Sequence, residues 1–167
     1  ARFANAVAHL DCHPADITWK AGVDAISFGA TKNGAMAVDA IVLFDTSLKG
    51  RIEQARKRSG HLHSKHRYLA TQLLAYVKND VWLKNAAHAN QAASALADLL
   101  IGRGATLAHQ KDGNELFVKL PAELAAKLRD AGLMFHAWPS LGADVYRFVA
   151  AWNTDIAQIS ELHTTLR

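Results

Sequence analysis

One lysine stands apart from the other cations of this sequence. Lys32 lies in the polar turn Ala30-Thr31-Lys32-Asn33-Gly34, between two mainly apolar stretches, residues 24–29 and 37–44, each of which reads as a strand. Two readings of such a lysine are open. It is a solvated turn residue, the reading that position alone favours. Or it is a Schiff-base lysine, in which partial burial favours the neutral amine that attacks an aldehyde. Gly29 and Gly34 let the backbone approach a bulky ligand closely, and Thr31 has a hydroxyl to donate to an anion.

Other reactive side chains carry less. The run His61-Leu62-His63-Ser64-Lys65-His66-Arg67 is rich in imidazole, but the neighbouring positive charges oppose a cation, and the spacing is not that of a metal site. No metal is expected. His88 falls on an alanine-rich stretch and reads as a packed or hydrogen-bonded histidine. Cys12 has no activating base near it in sequence, and a single cysteine makes no internal disulfide. Trp82, Trp138 and Trp152 read as core or interface anchors.

The elements that must position these groups are legible in outline. Residues 4–10 form a short helix broken before Pro14, and Asp16 or Thr18 is placed to cap a brief helix toward Lys20. The two strands around Lys32 suggest a buried hairpin. A basic helix over 48–59 stops at Gly60, and 66–79 carries a helical stripe of Leu69, Leu73, Leu74 and Val77. Residues 81–101 form a long alanine-rich helix that ends at Gly102 and Gly104. After it come strands at 106–109 and 115–120 around the turn Lys111-Asp112-Gly113-Asn114, a helix opened by Pro121, strands at 134–138 and 145–152, and a last helix over 154–166. From about residue 105 the order is strand, strand, helix, strand, strand, helix, a small α+β domain.

Length and composition bound the rest. The 167 residues, half of them hydrophobic and 20% charged, suit a globular chain with one core, or one small domain and a piece of another. No apolar run approaches the roughly 20 residues that span a bilayer, and the first residues lack a signal-peptide pattern. A cytoplasmic protein is expected. The net charge of +4 is concentrated in residues 49–67, which would attract any polyanion. A nucleic-acid-binding module is the alternative this patch raises, opposed by the lack of interleaved aromatics beyond Tyr68. The chain opens on Ala1 and reads like the middle of a segment, so a truncated or processed chain is expected.

The segment Ser27-Phe28-Gly29-Ala30-Thr31-Lys32-Asn33-Gly34-Ala35 resembles the cofactor-lysine motif of the threonine aldolases, of the low-specificity L-threonine and phenylserine type, which are fold-type-I pyridoxal-phosphate enzymes. Ala1-Arg2-Phe3-Ala4-Asn5-Ala6 resembles the segment just after that family's Asp-Gly pair. Arg58-Ser59-Gly60 and residues 82–90 resemble its later helices, and Val145-Tyr146-Arg147-Phe148-Val149 is similar to the strand bearing its carboxylate-binding arginine. The match runs in order over essentially the whole chain.

The resemblance implies an α/β fold of the fold-type-I class. Residues 1–45 would be the end of the large cofactor domain, 46–104 connecting helices, and 105–167 the small α+β domain. It implies pyridoxal 5'-phosphate on Lys32, with Thr31, Arg2 and Lys65 (or Arg58) near the cofactor, and Arg2 and Arg147 gripping the substrate carboxylate. The activity implied is lyase cleavage of β-hydroxy-α-amino acids such as threonine or phenylserine to glycine and an aldehyde. The partners implied are an amino-acid substrate, an amino-terminal half of the same enzyme and further copies in a homodimer or homotetramer, with no nucleic acid and no membrane. Family members are roughly twice this length, so this chain would be a carboxyl-terminal portion. The ring-nitrogen aspartate, the ring-stacking residue and the phosphate site would lie upstream. A non-catalytic fragment is the remaining alternative.

Overall fold

A computed structural model describes residues 2–166. The chain divides into two compact units, Ala1–Asn85 and Ala86–Arg167. Residues 46–104, expected as connecting helices, contribute to both.

The first unit opens with helix α1, Phe3–Leu10, which ends where Asp11 turns left-handed at φ 46°. The brief helix expected before Lys20 is two 3-10 turns, Pro14–Ile17 and Trp19–Ala21, separated by Thr18, which is neither helical nor extended at φ -130° and ψ -113°. The cap is also different. His13 Nδ1 accepts from the Ala15 amide at 3.1 Å, while Asp16 is engaged with Lys20 at 2.8 Å. Strands β1, Ala25–Gly29, and β2, Asp39–Leu43, then pair antiparallel with Ala25 opposite Leu43 and Gly29 opposite Asp39.

These two strands form a sheet of their own, and so the burial expected for them is incomplete. Ile41 is 58% exposed and Val42 36%, because a two-stranded ribbon cannot cover both its faces. Helix α2, Lys49–Arg58, has no buried residue, whereas α3, Arg67–Val77, buries Tyr76. Asn79 and Asp80, both with positive φ, lie in the 3-10 turn Lys78–Asp80 between α3 and α4, Val81–Ile101. Short polar side chains tolerate that conformation better than most.

An aromatic cluster organises this unit. Phe3 of α1 stacks on Trp82 at 6.1 Å, and Phe28 of β1 meets Phe3, Tyr76 and Trp82 at 6.1, 5.8 and 5.4 Å. Such pairs contribute about 0.5–1.5 kcal/mol each beyond the area they bury. Trp82 is thus the core anchor that its sequence suggests, while Trp138 and Trp152 are 37% and 41% exposed.

The second unit packs the remainder of α4 against a four-stranded antiparallel sheet and two helices. Its elements are β3, Thr106–Leu107; β4, Glu115–Lys119; α5, Ala122–Asp130; β5, His136–Ala137; β6, Val145–Val149; and α6, Ile156–Thr165. The sheet order is β3-β4-β6-β5. Alternation sets its two faces. Leu116, Val118 and Phe148 point into the core with Leu100, Leu124, Leu128 and Ile159, while Glu115, Phe117, Arg147 and Val149 occupy the opposite face.

The expected order of strands and helices is therefore the observed one, with shorter strands. The turn around Gly113 is not a tight hairpin, because the β3–β4 ladder ends near Ala108 and Asn114 is drawn inward, its Nδ2 donating to the Ala150 carbonyl at 2.6 Å. Helix α6 starts two residues later than expected. Asp155 caps it by accepting from the Ala157 amide at 2.9 Å, while Thr154 Oγ1 accepts from the Ala151 amide.

Candidate active site

The turn that carries Lys32 is held from both sides. Before it, the Ala30 amide donates to the Val38 carbonyl at 3.2 Å and to Asp39 Oδ1 at 3.0 Å, closing the hairpin end. Thr31, Lys32 and Asn33 then make one 3-10 turn, with the Asn33 and Ala35 amides donating to the Ala30 carbonyl. Gly34 comes next at φ 115°, a conformation that a side chain would strain.

After Lys32 the chain is bolted inward. Asn33 is buried, and its Nδ2 donates to the Tyr76 hydroxyl at 2.6 Å and to the Trp82 carbonyl at 2.8 Å. The Asn33 carbonyl in turn accepts from Asn85 Nδ2 at 2.9 Å. Gln72 Oε1 takes the Met36 and Ala37 amides at 3.0 and 3.3 Å. Burial raises the Tyr76 hydroxyl pKa above its usual value. The Asn33 hydrogen bond works against that rise, and the negative charge of Asp39 adds to it.

Lys32 itself is exposed, and among the described residues its amine has no hydrogen bond or ion pair. The partial burial that the Schiff-base reading supposed is absent, and the solvated position that the turn alone favoured is the observed one, since the neighbouring Asn33 takes the inward position. Thr31 is also arranged differently. Its one hydroxyl proton is directed at Asp39 Oδ1 and the Val38 carbonyl, at 3.3 and 3.4 Å, within its own hairpin. It serves the turn.

Arg2 immediately precedes α1 in the same unit, and its carbonyl accepts the Ala6 amide at 3.1 Å. The residue is half-buried and is not without a partner. The residue after it, Phe3, packs on Phe28 of the strand that leads to Lys32. Lys65 and Arg58 are exposed, and no hydrogen bond or ion pair joins either to the lysine turn among the described residues. The histidine run has the rings of His63 and His66 at 6.3 Å, and no group of three or more potential metal-binding side chains gathers among the described residues.

Arg147 belongs to the second unit. It sits mid-strand in β6, between Phe117 of β4 and His136 of β5. Its Nε donates to Glu115 Oε1 at 2.7 Å, and its Nη2 reaches the same oxygen. The guanidinium carbon lies 5.6 Å from the centre of the Trp138 ring, which meets Phe117 edge to face at 5.4 Å. This arginine is therefore half-buried and oriented, not hanging in solvent. His88, by contrast, is a packing histidine, with Nε2 2.7 Å from the Thr154 carbonyl.

Sequence reasoning missed Asn33, Asn85, Gln72 and Glu115. Asn33 was in view only as a polar turn residue, and the partners of all four lie 32 to 52 residues away along the chain. The one available signal was an asparagine beside the lysine, where a turn would take several other residues.

A free amine on an anchored turn after a strand, and an α+β unit presenting an oriented arginine, define a mixed α/β scaffold of the fold-type-I kind. The chain belongs to the β-eliminating lyase family, whose profile matches residues 1–123. It is similar to the low-specificity L-threonine aldolase of Pseudomonas aeruginosa, at 38% identity over 168 residues, with 100% of this chain and 48% of the relative covered. The enzyme of the same name from a Pseudomonas species is 36% identical, with the same coverage. Among solved structures, the threonine aldolase of Leishmania major superposes with a TM-score of 0.88 at 26% identity, covering 99% of this chain and 49% of that one. The chain thus spans about half the length of the relatives it matches. The fold class and the kinship with threonine aldolases are as the sequence suggested; the carboxyl-terminal placement is not confirmed. No helix among the described residues is long and apolar enough to cross a membrane.

Proposed function

We propose that this chain is part of a pyridoxal-phosphate-dependent aldolase that cleaves β-hydroxy-α-amino acids, such as threonine or phenylserine, to glycine and an aldehyde. The observation that carries the reading is Lys32, an exposed amine with no partner among the described residues, between two residues fixed by hydrogen bonds. Its chemistry fits an aldehyde cofactor, because condensation needs a primary amine that is not committed to a carboxylate. Relatives bearing the aldolase name support the reaction type. The carboxyl-terminal placement stays part of this proposal, supported by the order of the motifs from Arg2 through Lys32 to Arg147.

The bound cofactor would supply an electron sink for the substrate's Cα. What this chain contributes is attachment and aim. Lys32 would hold the cofactor through its free primary amine. Arg2 and Arg147 are each assigned to the substrate carboxylate by resemblance, and such a grip would turn the Cα–Cβ bond into the orientation in which it breaks. Arginine suits the task because its planar fork meets a carboxylate with two parallel hydrogen bonds. As the Cα–Cβ bond breaks, its electron pair stays with Cα, and the β-hydroxyl gives its proton to a base and becomes the aldehyde carbonyl. A proton added to Cα completes glycine.

Borohydride reduction of the protein with one equivalent of pyridoxal phosphate, and then peptide mapping, tests the reading. A reduced adduct on Lys32 that is lost in Lys32→Ala is expected. An adduct confined to other lysines, such as those of α2, would overturn it.

A further inference from the structure

Arg147 is not simply available on its sheet face; it is held by one particular edge. A guanidinium has a side edge, formed by Nε and one proton of Nη2, and an end edge, formed by Nη1 and the other proton of Nη2. Glu115 Oε1 accepts from Nε at 2.7 Å and from Nη2, so a single carboxylate oxygen closes the side edge. Among the described residues nothing accepts from Nη1. The end edge is therefore presented as a ready two-pronged donor.

The sheet register makes this possible. Phe117 is the cross-strand partner of Arg147, and Glu115 lies two residues before it on the same face of β4, facing Val149. Diagonal neighbours of that kind are about 7–8 Å apart at the backbone, within reach of two long side chains. The Trp138 ring, 5.6 Å from the guanidinium carbon and braced by Phe117, limits rotation about the arginine stem. Both partners of the ion pair are about three-quarters buried, with 25% and 27% of the side-chain surface accessible. An unpaired guanidinium at that depth would have many competing rotamers and the cost of a half-desolvated charge.

We propose that Glu115 is a positioning residue, which fixes the plane and edge of Arg147 so that Nη1 and Nη2 receive the carboxylate of an amino-acid substrate. The proposal rests on the reading of Arg147 as a carboxylate-binding residue and extends it to a residue that reading does not include. A carboxylate docked on the end edge lies closer to the guanidinium than to the Glu115 carboxylate on the other side. Attraction therefore outweighs the repulsion between the two anions, since both fall off with distance. Glu115 spares the substrate the cost of ordering Arg147, a gain in affinity larger than the repulsion it adds, and it leaves a single binding direction.

The test is a variant series in the holoenzyme that carries this chain, reading KM and kcat for the β-hydroxy-amino acid and the dissociation constant of glycine from the cofactor absorption. Glu115→Ala should raise KM and the glycine constant about tenfold, with kcat changed much less, the pattern of a lost binding interaction. Glu115→Gln keeps an acceptor oxygen in place and should restore both to within about threefold. Should the alanine variant fail to fold, Glu115→Asp, which withdraws the oxygen by one methylene, should show the same KM rise. If Arg147→Lys raises KM while Glu115→Ala and Glu115→Asp leave it unchanged or lower it, Glu115 is a spectator or a competitor and the proposal is overturned. If Arg147→Lys itself leaves KM and the glycine constant unchanged, the underlying reading of Arg147 fails.

Discussion

Replacing Asn33 by alanine should loosen the lysine turn without touching Lys32. The substitution removes two donated hydrogen bonds, to the Tyr76 hydroxyl and the Trp82 carbonyl, from a side chain that is 3% exposed. A net hydrogen bond contributes about 1 kcal/mol, and a buried polar group left without its partner costs about 1–3 kcal/mol more. The combined loss should be about 2–4 kcal/mol, and it should fall on the local opening of the turn. Amide hydrogen exchange reads that opening directly. The Asn33 and Ala35 amides, both bonded to the Ala30 carbonyl, should exchange at least about 30-fold faster in Asn33→Ala, the factor that about 2 kcal/mol implies. Amides of α5, in the other unit, should be unaffected. Asn33→Asp keeps the shape but puts a carboxylate against the Trp82 carbonyl, and it should be at least as damaging. Exchange at Ala35 within about threefold of the parent in both variants would refute the idea that Asn33 anchors the turn. So would a uniform increase across both units.

The same geometry sets three further outcomes. The Tyr76 hydroxyl titrates higher in the folded chain than in the unfolded one, so between those two values the unfolded state has given up a proton that the folded state retains. Its contribution is present below the unfolded value near 10 and is lost as pH rises through the folded one; the urea midpoint should fall over that range, with the fall smaller in Tyr76→Phe. Leu100→Ala removes a side chain with no exposure from the core of the second unit and should cost about 2–5 kcal/mol in urea unfolding. Asp155→Ala removes the cap of α6 and should cost about 0.5–2 kcal/mol, with increased exchange confined to the first turn of that helix.

The parts of this fold that were legible in the sequence are those written in local pattern. The long alanine-rich helix Val81–Ile101 and the strand read over 115–120 beside the turn 111–114 are local signals, and both elements lie where these put them. Lys32 was legible because its turn is bounded by two strands and two glycines. What the sequence hid depends on pairing across distance. Glu115 and Arg147 meet only once β4 and β6 are in register, and no spacing along the chain announces it. Asn33 looked like an ordinary turn residue until Tyr76 and Trp82 received it. The exposure of Lys32 is what its turn position alone favoured, and the reason is local: in this turn Asn33 takes the inward position and Lys32 the outward one.

Because the backbone on both sides of Lys32 is fastened, any travel of the amine must come from its own four-carbon stem. A catalytic group mounted on a mobile loop couples its rate to the drag of the surrounding liquid. A group on a clamped turn does not, since side-chain rotation is fast and displaces little solvent. The attachment and release of a ligand at Lys32 should therefore be nearly indifferent to added glycerol or sucrose at matched temperature. Its tempo would be set by proton transfers and by rotamer entropy, about 1.5–2 kcal/mol for an ordered lysine. Cutting the anchors, as Asn33→Ala does, would turn the site into one whose speed tracks the viscosity of its medium.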